Sequence, residues 1–389
     1  MKEARQTGIK VLSRLTDAGY EAYFVGGFVR DFLLGLNTSD IDITTDARPD
    51  DVQRLFERTV LTGIAFGTVT VIFEDIPFEV TTYRRETRYD NHRHPSEMTF
   101  SDSLKEDLSR RDFTINQLVM DQAGNILDHF DGQLDLKKKI IRTINNPIDR
   151  FEEDALRMLR AFRFSARLGF DIEEKTLNAI EMKKTLITKI AVERIQDELF
   201  KLFQADHKKK ALFAMIETGF HETLGIGEGL ETLSEINGPY DALDAFTIIH
   251  IDDPLSDKAF KFSNRFMKDV DTLKSIHQKT KDKFFTARML FDHGKPLCLR
   301  ANHINRLLGF ADQEDRIEEL AATQKINSIK DLAFKGADIK KNLDPKKPSH
   351  ISKVLDRLVD KVLQGETDND RQALKKEARK LLDDLEKSE

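Results

Sequence analysis

The spacing of apolar residues changes character once along this 389-residue chain, and the change requires two kinds of architecture in one molecule. Up to about Ile144, short alternating runs (EAYFVGG, SDIDITT, GTVTVIF, IPFEVTTY and NILDHF) interleave with helical patterns in EARQTGIKVLSRLTDAG, FVRDFLLG and DDVQRLFERT. Such interleaving predicts an α/β head. After Asn146-Pro147 the spacing turns helical, strand signals nearly vanish, and Gly169, Gly219, Gly238, Gly294 and Gly309 punctuate the segments. The remainder is expected to be all helical. A chain this long exceeds one core of ordinary size, and the pattern suggests segments 1–146, 147–206, 207–299 and 300–389.

Within the head, Asp40, Ile41, Asp42 and Ile43 alternate with period two. On a strand, both carboxylates would leave one face while the isoleucines enter the core. Two hard oxygen donors on one face suit Mg²⁺ or Mn²⁺, and no Cys/His set favours zinc. Upstream, EAYFVGG ends a strand in Gly26-Gly27 and FVRDFLLG begins a helix, a combination that can cradle a triphosphate or be an ordinary glycine turn. The single cysteine, Cys298, excludes an intrachain disulfide and reads as buried filler. No apolar run approaches twenty residues and MKEARQTGIK lacks a secretory apolar segment, so a cytoplasmic protein without membrane association is expected. With a net charge of −6, any nucleic-acid contact must use local basic patches.

GGFVRD followed by DIDI resembles the head of the class II tRNA nucleotidyltransferases and bacterial poly(A) polymerases, in the polymerase-beta-like nucleotidyltransferase superfamily. RRDFTINQL (110–118), EEDALRMLRAFRFSARLGF (152–170) and AVERIQDEL (191–199) match in family order. The likeness is greatest to the CCA-adding enzymes. It implies a nucleotidyltransferase head followed by an all-α neck, body and tail, and addition of C, C and A to a tRNA 3′ end from CTP and ATP with Mg²⁺. Phe28 departs from the small or hydroxylated residue of many relatives, so a phosphate contact there must use the backbone.

Phosphoryl transfer needs a metal clamp, for which Asp40 and Asp42 are the candidates, with Glu79 as a third carboxylate or else a solvated strand residue or structural partner of Arg84. Arg30 can neutralise phosphate or pair with Asp31. Asp112 and Asn116, four apart, would share a helical face able to read ribose hydroxyls, although Asp112 could equally cap that helix; Arg111 is a further phosphate candidate. On the next long helix Asp154 and Arg157 are three apart, with Ala155, Met158, Phe162 and Ala166 on the buried side. Alone, such a pair reads as a surface salt bridge. The resemblance makes EDxxR a protein template: Asp154 accepts from C N4 or A N6, and Arg157 donates to C N3 or A N1. Glu153 would support that pocket, Arg160 would stack or orient phosphate, and Arg163 joins the nucleotide-binding candidates.

RETRYDNHRHPSEMTFSDSLKED reads as a flexible loop, and the resemblance ties a loop here to the switch from CTP to ATP. A metal site at His92 and His94 lacks a third ligand. Glu193, Arg194 and Glu198 are expected to brace the templating helix. KDKFFTAR, DIKKNLDPKKPSH and RQALKKEARK supply basic surface for the tRNA backbone or simply solvated helix faces. An A-adding enzyme, a poly(A) polymerase and a noncatalytic tRNA-binding protein are the competing readings; no HD constellation suggests an added phosphohydrolase.

Overall fold

The computed structural model describes residues 2–38, 40–63, 66–90, 94–253 and 260–387. Its head opens with α1 (Lys2–Asp17), β1 (Ala22–Val25), α2 (Gly27–Leu33), β2 (Asp42–Thr45), α3 (Pro49–Leu55), β3 (Thr59–Gly63), β4 (Thr68–Phe73) and β5 (Ile76–Thr82). β6 (Arg84–Asp90), β7 (His94–Phe100), α4 (Leu104–Ser109), β8 (Val119–Met120), β9 (Ile126–Leu127), α5 (Gly132–Lys138) and β10 (Ile140–Ile141) follow. One sheet runs β3-β4-β5-β2-β1-β8-β9, and every neighbouring pair is antiparallel except β2 with β5. That parallel pair sets Asp42 opposite Glu79.

The two faces of the sheet separate core from site. Phe24 faces α1, whose Val11, Leu12 and Leu15 are fully buried. The approach is so close that a Cβ at Gly8 would lie 2.7 Å from the Phe24 ring, which explains a glycine inside a helix that it weakens by about 1 kcal/mol. Val25 alternates to the other face and meets Leu108 of α4 and Val119 of β8.

Three local expectations change. Of the segment 85–107, expected as a loop, the part up to Phe100 belongs to an antiparallel β6–β7 hairpin and Leu104–Ser109 is α4. The hairpin strands pair with each other outside the main sheet, so no alternating apolar face was needed to form them. His92 and the His94 side chain lie outside what is described. The helix read through Thr59 ends at Leu55, and Thr59 begins β3. Finally, the helix expected across 152–170 is two: α6 (Pro147–Glu153) and α7 (Leu156–Leu168). Asp154 separates them with φ −140° and ψ 102°.

β11 (Asp171–Ile172) pairs with β10, and α8 (Glu174–Lys183), α9 (Val192–Phe203), α10 (Lys208–Glu217), α11 (Phe220–Thr223) and α12 (Gly227–Glu235) follow. α7 packs on α9 and α10, and Ala155, Met158, Phe162 and Ala166 are fully buried as their spacing requires. The chain packs into two compact units: the first runs to Ser234, the second begins at Glu235, and short segments before residue 262 are divided between them.

The second unit is helical: α13 (Ala242–Asp252), α14 (Asn264–Thr280), α15 (Ala287–His293), α16 (Lys295–Leu307), α17 (Glu314–Thr323), α18 (Gly336–Leu343), α19 (Pro348–Leu363) and α20 (Arg371–Lys387). Val354, Leu358, Leu374, Ala378 and Leu382 build the core between its last two helices. Cys298 of α16 is buried, and burial pushes its thiol up to about 11. No described helix is long and apolar enough to cross a membrane.

Candidate active site

β1 ends at Gly26, whose φ of 71° is costly for any residue with a side chain and turns the chain sharply into α2. A Cβ on Gly26 would meet Arg111 Nη1 at 3.2 Å and Asp42 Oδ2 at 3.8 Å. The turn thus brings a glycine backbone, a guanidinium and a carboxylate together. Phe28, one residue into the helix, is buried against Phe24 and Phe32, leaving only its backbone for other contacts.

Asp42 and Thr44 share a face of β2, and the Thr44 hydroxyl donates to fully buried Asp107 (3.2 Å). Burial would raise Asp107, but Arg111 and Arg110, at 3.3 and 2.8 Å, hold its carboxyl below the usual range. Asp42 shows the opposite balance. Burial pushes its carboxyl up, Arg111 opposes this, and Glu79 and Asp40 add repulsion. Asp40 itself precedes β2 and is exposed, so the expectation of both carboxylates within one strand holds only for Asp42.

Arg30 is buried and salt-bridged to Asp31 (2.7 Å), which also pairs with Arg167 (2.6 Å). Arg30 Nη1 donates to Asn116, and its guanidinium lies 5.1 Å from the Phe164 ring. Burial depresses its pKa, with Asp31 partly offsetting the effect. Arg30 therefore belongs to an ion pair and also lines the cavity.

The expected helix carrying Asp112 and Asn116 is only a 3₁₀ turn, Thr114–Asn116, because the chain must straighten into β8 three residues later. The pair still meets: Asn116 Nδ2 donates to Asp112 Oδ1 (2.9 Å), which also accepts from the Phe113 N–H. Asp112 Oδ2 accepts from Arg160 Nε (2.9 Å) and Nη2 (2.5 Å). Burial disfavours the Asp112 anion, yet these donors hold its carboxyl far below the usual range. Glu198 of α9 lies 3.6 Å from Arg160 and 2.5 Å from Arg163. Burial lowers the Arg163 pKa and neighbouring Arg160 lowers it further.

The helix break at Asp154 corrects the reading of Asp154 and Arg157 as neighbours on one continuous helix. Asp154 Oδ1 accepts from Leu156 N (3.1 Å) at the start of α7, and Oδ2 accepts from Arg194 (3.2 Å). Arg157 donates to the carbonyls of Arg150 (3.1 Å) and Arg110 (2.8 Å) and to Glu153 (2.7 Å). Glu153 pairs with Arg157, and Arg194 and Glu198 make the ion pairs expected of them, with Asp154 and with Arg160 and Arg163 of α7. Glu193 points elsewhere, to Lys261 (2.9 Å).

One cavity of about 470 Å³ gathers Gly26, Gly27, Arg30, Asp42, Arg111, Asp112, Asn116, Asp154, Arg157, Arg160 and Arg163. Asp40 lines an adjoining cavity that shares Arg163 and Arg167, while exposed Glu79 lies beside Asp42 through strand pairing. Sequence reasoning missed Phe66, Arg84, Phe164 and Arg167 in the wall. Arg167 and Phe164 continue the three- and four-residue spacing of α7 from Arg160 and Arg163, a signal available but unused. Among the described residues no three Asp, Glu, His or Cys side chains form a ready metal cluster. The donor chemistry nevertheless fits Mg²⁺, which takes one or two carboxylates and fills its shell with phosphates and water, and a cation would relieve the repulsion at Asp42.

Comparisons with known proteins agree with this geometry. Residues 22–142 match the poly A polymerase head domain, 250–378 tRNA nucleotidyltransferase domain 2, and 169–225 the "Probable RNA and SrmB- binding site of polymerase A". A CCA-adding enzyme of Ligilactobacillus salivarius is 36% identical, covering 97% of this chain and 96% of its own, and one of Streptococcus mutans is 35% identical, covering 97% and 98%. The crystal structure of a Bacillus stearothermophilus CCA-adding enzyme in complex with CTP superposes with a TM-score of 0.86 at 29% identity, covering 100% of this chain and 99% of that one. An α/β head, one arginine-walled cavity and full-length similarity converge: this chain belongs to the CCA-adding enzyme family of tRNA nucleotidyltransferases.

Proposed function

We propose that this protein completes the 3′ end of tRNA by adding C, C and A from CTP and ATP with release of pyrophosphate. The observation that carries the proposal is the single cavity in which Asp154 and Arg157 share a wall with Asp42, Arg111 and the Gly26 turn. A nucleotide needs that combination: a base edge read at one end and phosphates held at the other.

At the base end, a carboxylate and a guanidinium favour an amine beside a ring acceptor, the edge shared by C and A. G and U present a carbonyl and a ring N–H there, leaving like partners face to face. Each well-made contact is worth about 1–3 kcal/mol, so two discriminate strongly. Because backbone carbonyls and Glu153 already fix Arg157, the pocket is organised before nucleotide arrives. Asp112 and Asn116 face the ribose in this reading, and Arg111, Arg160, Arg163 and the Gly26-Gly27 backbone face phosphate. Arg30 stiffens the turn while adding charge. Asp40 and Asp42, with Glu79 beside them, would hold Mg²⁺, which neutralises charge on the transferred phosphate and favours ionisation of the attacking hydroxyl.

The tRNA body is engaged through exposed basic segments in residues 281–288, 338–350 and 371–380, and the reaction takes place in the cytoplasm. Segments 1–146, 147–206, 207–299 and 300–389 act as head, neck, body and tail, a finer division than the two packed units.

One gel tests the reading. Purified protein with Mg²⁺ extends tRNA lacking its last three nucleotides by C, C and A and stops. Substrates ending at the discriminator base, at C and at CC, each with CTP, ATP or both, separate the alternatives. Homopolymer from ATP would indicate a poly(A) polymerase, addition only to the CC end an A-adding enzyme, and no incorporation by folded protein would refute catalysis.

A further inference from the structure

In the second unit, the connection between α14 and α15 presents a phenyl ring to solvent from a backbone that is firmly held. Phe284 is 69% exposed, whereas Phe285 beside it is fully buried. Gln313 clasps the turn from both sides: its Oε1 accepts from Phe285 N (2.9 Å) and its Nε2 donates to the Lys283 carbonyl (3.0 Å). Arg316 Nε donates to the Phe285 carbonyl (2.7 Å), and its guanidinium carbon lies 5.0 Å from the Phe284 ring centroid. With Phe285 anchored in the core, the adjacent residue is carried outward. The outward ring is thus a consequence of anchoring rather than of a loose loop.

We propose that Phe284 is a stacking platform for an unpaired or terminal base of the tRNA, with Arg316 supporting the ring. This rests on the tRNA reading above and deepens it. The charge around the ring selects the partner. Exposed Lys279, Lys281 and Lys283 flank it, and no ion pair engages them among the described residues. Asp282 and Asp315 offset part of that charge, while Glu314 is within 3.6 Å of Arg306. A nucleic acid offers this surface what it lacks, a flat π face for the ring and phosphates for the lysines. Arginine below and a base above would enclose the phenyl group, which water now covers.

The chain contains no tryptophan, so Phe284→Trp installs a single fluorescent reporter. Titrating that variant with tRNA lacking CCA should quench its emission, and CTP alone should not. Phe284→Ala should weaken tRNA binding about 5- to 100-fold and raise KM for tRNA without raising KM for CTP; Phe284→Tyr should restore both. Wild-type failure to bind or extend tRNA would defeat the functional reading itself. If the wild type extends tRNA while F284A binds it equally well and the F284W signal does not move, the stacking role alone is overturned, and Phe284 is left to a protein partner.

Discussion

At the scale of single residues, Asp42 sets function against stability. Its carboxyl titrates higher in the folded protein, chiefly because of burial and then through Glu79 and Asp40. Between the ordinary value of 3.8 and the raised one, the folded state binds more protons than the unfolded, so stability falls as pH rises through that window. Asp42→Asn cannot ionise. Metal-free D42N should therefore melt above the wild type at pH 7, with the gain fading as pH falls through that window and gone below it, while turnover falls at least about 100-fold from the loss of several kcal/mol of metal stabilisation. Mg²⁺ should raise the wild-type melting temperature more than that of D42N. A variant that melts no higher, or turns over normally, contradicts the assignment. Position 42 was legible because alternation on a strand is a local property. The pairing of Arg167 with Asp31, 136 residues earlier, was not, since only tertiary packing brings the two together; the helical spacing of Arg167 itself was there to be read.

Among elements, the break between α6 and α7 gives Asp154 two separable duties. Its bond from Leu156 N, the first residue of α7, is worth about 1 kcal/mol, and serine can make the same bond. Serine carries no carboxylate to read a base or to pair with Arg194. D154S should keep the wild-type melting temperature more nearly than D154A, while both lose the exclusion of UTP and GTP; equal stability of the two variants removes the contribution of the bond from Leu156 N. The break escaped sequence reading because apolar spacing runs through it, and the cost of interrupting a helix appears only in backbone angles. The β6–β7 hairpin escaped for the converse reason: its strands need only each other. Deleting residues 90–96 should leave tRNA ending in CC when CTP and ATP are both supplied, and normal terminal A addition would separate the hairpin from nucleotide switching.

For the molecule as a whole, net charge −6 means that tRNA is not drawn in by bulk attraction. Its affinity should still fall with salt, with a log–log slope of about −0.7 to −0.9 per phosphate contacted, and an affinity indifferent to salt would argue against the basic segments as the RNA surface. The change of periodicity after Asn146-Pro147 correctly announced an α/β head and a helical remainder, since period two and period 3.6 are written into the order of residues. Which residues pack as one body was hidden there. The first compact unit runs on through α7 and α9 because Asp31 is paired with Arg167, Asp112 with Arg160, and the Arg110 carbonyl with Arg157. During synthesis, Asp40, Asp42 and Glu79 leave the ribosome long before these arginines. Until α7 follows, Asp31 has only Arg30, Asp112 lacks Arg160, and the cavity lacks the wall that Arg157, Arg160 and Arg163 supply. On the proposed reading, the groups that would hold phosphate and those that would choose the base are completed by the same helix, so joining and choosing arrive in the chain together.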